Sequence, residues 1–280
     1  MSRRLAVAIL AAFLAARPAA AQQRPLVTQD PESIGAGHIL LEGGIEYADD
    51  VTYTVSGLKG NTWTVPSLGF IFGLSSIAEL QITFSPFVHM DVNSRFDAPL
   101  SSAVTFTGDT THDVEDAVVA TKIRVLSETA GRPSFGIRFA TRLPNASNQS
   151  GLGLDTTDFY MSALVAKTVQ SVRLVGNVGF GILGAPTIPN EQNDVLTYGV
   201  SFARALTTGT ELVGEVNGRV NTRPTALPGT ESRGILKVGG RYTHGALRLD
   251  AAMLVGLTSI DPTIGFTGGF TYVFNAFNVP

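Results

Sequence analysis

Apolar and polar residues alternate in steps of two along most of this chain, most clearly over 113–143. There Ala117, Val119, Thr121, Ile123 and Val125 make one face, and Asp116, Val118, Ala120, Lys122 and Arg124 the other. After the turn 128–133, Phe135, Ile137, Phe139 and Leu143 alternate with Ser134, Gly136, Arg138, Ala140 and Arg142. A period of two fits strands and not helices, so the stretch reads as a hairpin with one greasy and one charged face. The same alternation predicts strands at 38–48, 68–74, 79–90, 157–167, 172–182, 196–202, 211–220, 233–242, 247–257 and 264–274, about twelve with the hairpin. Within 79–90, Leu80, Ile82, Phe84, Val88 and Met90 share the apolar face, and Pro86 among them marks a bulge or a strained edge.

Hairpins of this kind build either a secreted sandwich or an outer-membrane barrel whose greasy face meets lipid. The connections decide between them. Those after every second strand are short, such as 75–76 and 244–245, whereas those between are long and polar, such as 49–63, 93–112 and 144–154. Outer-membrane barrels show this asymmetry, with short periplasmic turns and longer extracellular loops. The expected fold is therefore all-β, a transmembrane antiparallel up-and-down barrel of about 12 strands.

Composition narrows this further. Residues 1–21 read as a signal peptide, with Arg3 and Arg4 ahead of an apolar run and Ala19-Ala20-Ala21 as the cleavage site. Residues 22–37, polar and proline-bearing, are expected to form a periplasmic N-terminal arm, and 38–280 the barrel. The chain has no cysteine, which excludes disulfides, thiolate metal sites and a cysteine nucleophile. Charged residues are 15%, against about 25% in ordinary soluble domains. A formal charge of −3 argues against nucleic acid as a partner. The expected location is the outer membrane of a Gram-negative cell, with membrane lipids, the barrel assembly machinery and a small solute as partners.

The last strand, Thr267-Gly268-Gly269-Phe270-Thr271-Tyr272-Val273-Phe274, fits polar-x-Gly-x-x-hydrophobic-x-aromatic. That pattern resembles the terminal signal read by the assembly machinery, with Gly269, Tyr272 and Phe274 as its marks, although the chain continues to Pro280.

The opening of the mature chain, Arg24-Pro-Leu-Val-Thr-Gln-Asp-Pro-Glu-Ser-Ile-Gly-Ala-Gly-His38, resembles the start of the MetA-pathway phenol-degradation family. So do Phe72 to Gln81, Asp116 to Leu126 and Arg138 to Pro144. The resemblance implies an outer-membrane barrel of transporter type, loosely associated with aromatic-compound catabolism. It brings no catalytic residues.

On this phase the inner wall carries Lys122, Arg124, Arg138, Arg142, Arg173, Arg219, Arg233, Lys237, Arg241 and Arg248 with Glu42, Glu46, Glu79, Asp116, Glu211, Glu215 and Asp250. A barrel of about 12 strands spaced about 4.8 Å apart and tilted about 40° is roughly 24 Å across its backbone, so long side chains leave a narrow lumen. Two readings stay open. The basic residues line a path for small aromatic or anionic solutes, or the charges pair across the lumen and plug it, leaving a structural or adhesive barrel acting through its loops.

No cofactor or metal is expected. Asp109, His112, Asp113, Glu115 and Asp116, joined by Asp155 and Asp158, read either as a cation site or as a solvated acidic loop. Trp63 and the tyrosines at strand ends read as interfacial girdles. A lipid hydrolase would need a serine and a histidine in reach of each other, and His89 beside Ser85 is the nearest approach. The chain is expected not to be an enzyme.

Overall fold

Residues with branched or aromatic side chains at alternate positions hold the backbone extended, and the described residues fold into strands joined by loops, with almost no helix. The computed structural model describes residues 24–188 and 190–277, so the signal peptide expected over 1–21 lies outside the described residues. The strands are β1 (His38–Tyr53), β2 (Leu58–Gly73), β3 (Ala78–Phe84), β4 (Val88–Arg95), β5 (Thr110–Asp113), β6 (Val118–Leu126) and β7 (Ser134–Arg142). They continue as β8 (Asp158–Val169), β9 (Val172–Gly184), β10 (Gln192–Ala205), β11 (Thr210–Asn221), β12 (Arg233–His244), β13 (Leu247–Gly256) and β14 (Gly265–Asn275).

All pair antiparallel with their neighbours, and β1 pairs with both β2 and β14, which closes the sheet. β4 extends the line of β3 along β2, and β5 pairs with β4 as β6 does with β3. Each of those pairs is one wall strand broken in the middle. The result is a closed 12-strand barrel. Closure pairs the first strand with the last, so neither presents an open edge to lipid.

The break stems from two prolines that cannot donate to the ladder. Val65-Pro66 bulge out of β2 opposite Ile45 alone, and Ser85-Pro86-Phe87 part β3 from β4 at the same height. Such a bulge inverts the facing of the residues beyond it. Below it, Leu80 and Phe84 face outward; above it, Val88 and Met90 are buried inside and His89 turns out. The single phase expected across Pro86 is thus corrected.

A second correction concerns 49–63. Its residues are polar on both faces and read as a loop, yet β1 and β2 run on as one tall hairpin to a turn at 54–57. The other connections keep the expected asymmetry. One end carries the turns 74–77, 127–133, 170–171, 206–209 and 245–246, and the opposite end the longer 96–109, 143–157, 222–232 and 257–264 together with 185–191, which matches 127–133 in length.

Apolar side chains cover the outside: Phe139, Val178, Val200, Leu249 and Phe266 are exposed there, Val200 to 64%. A soluble sheet would bury such a band, so its proper surroundings are hydrocarbon. Tyr47 and Trp63 meet on the outer face with ring centroids 4.8 Å apart, at the level of His89 and His112.

Candidate functional site

The inner wall is a web of ion pairs. Lys122 lies 2.9 Å from Glu79, both almost wholly buried. Arg142 joins Asp158 at 2.6 Å and also Asp116, while Arg248 and Arg241 lie 3.7 and 3.8 Å from Glu211. Arg138 donates to Gln81 at 2.8 Å. These pairs hold because neighbouring wall strands present opposite charges on the same inward face, as with Glu79 opposite Lys122 and Arg142 opposite Asp158 in the ladder.

The N-terminal arm completes the web. Expected in the periplasm, the described part of it runs inside the barrel, held by inward side chains of β1, β3, β6, β9, β11 and β13. An extended segment with two prolines cannot satisfy its own backbone, so wall side chains do so. Glu215 accepts from Val27 N at 2.9 Å, Thr28 N at 2.8 Å and Thr28 Oγ1 at 2.8 Å. Asn177 accepts from Gln29 N at 2.6 Å and donates back to Gln29 O at 2.8 Å. Lys122 donates to Asp30 O at 2.8 Å, and Ile34 N donates to Glu79 at 3.0 Å. Arg173 forks onto the Asp30 carboxylate at 2.7 and 2.8 Å, and Arg124 pairs with Glu32.

Arg24 anchors the other end of the arm. Its guanidinium meets Asp250 at 3.4 Å, Ser67 Oγ at 3.0 Å and Thr267 Oγ1 at 3.3 Å, and its carbonyl accepts from Arg241 at 2.7 Å. Its N–H reaches Glu42 at 3.5 Å. Gly44 and Gly269 make room for it: a Cβ on either would stand 2.2 or 2.5 Å from Arg24 Nη2. Gly269, singled out by sequence as an assembly mark, thus has a packing reason to be glycine. Tyr272 and Phe274 face outward beside each other, ring centroids 5.9 Å apart.

Glu128 ties a short turn to the same web through Arg173, Lys167 and the Thr168 N–H at 2.8 Å. Burial pushes its carboxyl up, but the Thr168 N–H, the Arg173 charge and the Lys167 and Thr168 side chains outweigh that and hold it below the usual range.

Above the arm the lumen opens into two chambers. The first, about 640 Å³, is bordered by Val27 of the arm and by Glu46, Thr62, Thr64, Asn217, Arg219, Arg233 and Lys237. The second, about 530 Å³, lies toward the long loops and is bordered by Val55, Arg142, Leu152, Leu154 and Gly229. Tyr53, Glu115, Tyr160, Arg219 and Arg233 border both, so they form the waist where the chambers meet. Arg219 donates to Gly229 O and Glu231 O, each at 2.8 Å, and Arg233 donates to Thr52 O at 3.1 Å with Asp261 3.8 Å away.

Sequence reasoning singles out Arg219, Arg233, Glu46 and Glu115 without bringing them together; it predicts the arm but not its place in the lumen, and it misses the inward tyrosines. Tyr160 was within reach, because it stands between the outward Phe159 and Met161. The acidic cluster is dispersed: His112 faces outward, Asp113 accepts from Ser147 N, and Asp116 and Asp158 belong to Arg142. Ser85 and His89 also part. Ser85 is buried and bonded to Phe87 O at 3.0 Å, whereas His89 turns outward and meets Asp91 at 3.3 Å.

No family model and no curated protein matches the chain. Among solved structures, an outer-membrane channel from Pseudomonas putida is 14% identical, with a TM-score of 0.64 over 88% of this chain and 98% of its own. The translocator domain of the autotransporter NalP from Neisseria meningitidis is 12% identical, with a TM-score of 0.53 over 86% and 89%. At such identities the likeness speaks for the fold alone, and the fold is that of the outer-membrane β-barrels.

Proposed function

We propose that this chain is a passive outer-membrane channel for small aromatic or anionic solutes, with the N-terminal arm as its stopper. One observation carries the reading: the arm is held inside the lumen by hydrogen bonds to the wall, while beside it lies a chamber of about 640 Å³ bordered by arginines and tyrosines. A barrel that served only as a scaffold has no use for such a volume, which lies within the usual range of about 300–1,000 Å³ for small-molecule sites. The Pseudomonas putida neighbour, described as a channel, and the resemblance to a phenol-degradation family support the same direction. The greasy outer face would meet lipid, and the last strand would be read by the assembly machinery. The reading assigns no catalysis and no cofactor.

Single-channel recording of the refolded protein in a planar bilayer tests this. Anion-preferring steps blocked by an aromatic carboxylate are expected. Silence from protein shown to be inserted would favour the alternative, a plugged barrel acting through its loops.

A further inference from the structure

The first chamber and its waist carry charge of opposite sign on separate arcs of the wall. Glu46 stands on β1 and Glu115 on the link between β5 and β6; neither belongs to an ion pair among the described residues. Arg219 and Arg233 stand on β11 and β12, with β13 and β14 between them and β1. Arg219 is satisfied by backbone carbonyls alone, which leaves its charge without a carboxylate within 4.0 Å. Elsewhere on the inner wall such charges neutralise each other directly, as Lys122 and Glu79 do. Here Arg233 has Asp261 3.8 Å away, whereas Arg219, Glu46 and Glu115 border open volume with no such partner among the described residues.

A field therefore runs across the chamber, in surroundings where water screens it less than in bulk. A net anion gains at the arginines and loses at the glutamates, and a net cation the reverse. A solute with an ammonium and a carboxylate at its two ends gains at both. Asn217 adds to the basic side: its Nδ2 is buried without an acceptor and borders the same chamber. An unmade hydrogen bond at such a place is one a ligand carboxylate would complete.

We propose that the first chamber, up to its waist, is a binding site for small zwitterions, with the ammonium toward Glu46 and Glu115, the carboxylate toward Arg219, Arg233 and Asn217, and an aromatic body between Tyr53 and Tyr160. This rests on the channel reading for its route but not for its binding. Both volume and rings suit a solute of the size of an aromatic amino acid.

Three probes share one ring and differ in charge: phenylalanine, 3-phenylpropionate and phenethylamine. Calorimetric titration of the refolded full chain in detergent should show phenylalanine bound at least about tenfold tighter than either singly charged probe, a gap of about 1.4 kcal/mol. In Glu46→Gln/Glu115→Gln the preference should pass to phenylpropionate, and in Arg219→Gln/Arg233→Gln to phenethylamine. Equal affinities for the three probes, or a preference unmoved by both double variants, would overturn the site. Bilayer currents separate the two proposals. Binding with the expected preference but no conductance would remove the channel and leave the site, and conductance without the preference would do the opposite. The heat-dependent gel shift of folded barrels checks each variant, and the two double variants act in opposite directions, which a general loss of folding cannot imitate.

Discussion

Replacing Glu215 by alanine should release the middle of the arm. The carboxylate accepts from Val27 N, Thr28 N and Thr28 Oγ1, all within 2.9 Å, and is itself only 3% exposed. Without it two backbone donors lose their acceptor, at about 1–3 kcal/mol each. The donors recover part of that by meeting water once the segment lifts, and the Asp30 and Arg24 anchors stay, so a loss of about 3 kcal/mol in local docking is a fair value. That converts to roughly a hundredfold increase in the lifted population. Since the chain has no cysteine, Leu26→Cys, at a position 8% exposed, gives one clean reporter. Its labelling by a polar thiol reagent should quicken about a hundredfold in Glu215→Ala if opening is fast relative to labelling. Glu215→Gln keeps an acceptor and should fall between. Labelling at the parental rate, with Glu215→Ala folded, would refute the idea that these bonds hold the arm.

Other perturbations probe the outer wall, the lumenal pairs and the short turns. Val200→Arg puts a charge at the most exposed apolar position of the outer wall and should cost about 2–4 kcal/mol if it lies at mid-membrane; urea titration in lipid vesicles would read it, and a value near zero would mean the outer face does not meet hydrocarbon. Lys122→Ala strands the buried Glu79 and should lower stability by about 3–5 kcal/mol, while Lys122→Met with Glu79→Leu should recover much of it; the single variant matching the parent would show the pair to be idle. For Glu128 the folded carboxyl titrates below its ordinary 4.5, so its contribution is full above that value and is lost as pH falls through the folded one. The urea midpoint of Glu128→Gln should therefore trail the parent near neutral pH and close on it as pH falls below the ordinary carboxylate range, and a constant gap would contradict the assignment.

The barrel was legible because lipid and lumen impose opposite chemistry on alternate positions, as in Phe139 beside Arg138 or Leu249 beside Asp250. Where that contrast fails, reading failed too. At Asp49 and Asp50 the strands have polar side chains on both faces, so a tall hairpin looked like a loop. At Pro86 a proline was visible, but the inversion of Val88 and Met90 depends on the Val65-Pro66 bulge in a neighbouring strand, which no window on the sequence reports. The arm has no period at all, because the wall side chains that hold it are scattered over several strands. The lumenal charges were identified one by one, yet whether Arg142 pairs with Asp158 or Arg219 stands apart is settled only by register and by which strands are neighbours.

Arg24 sits where the first and last strands meet. His38 pairs with Asn275, the longest-range contact of the wall, and such a contact carries the largest loop-closure cost in the molecule. Ser67 belongs to β2, Thr267 to β14 and Asp250 to β13, so one guanidinium spans the joint from the inside, lodged in a niche cut by Gly44 and Gly269. The stopper is therefore also a clasp. A solute or a force that drew the arm out would remove a fastening from the joint that makes the barrel a cylinder, so opening the lumen and loosening its wall are coupled events.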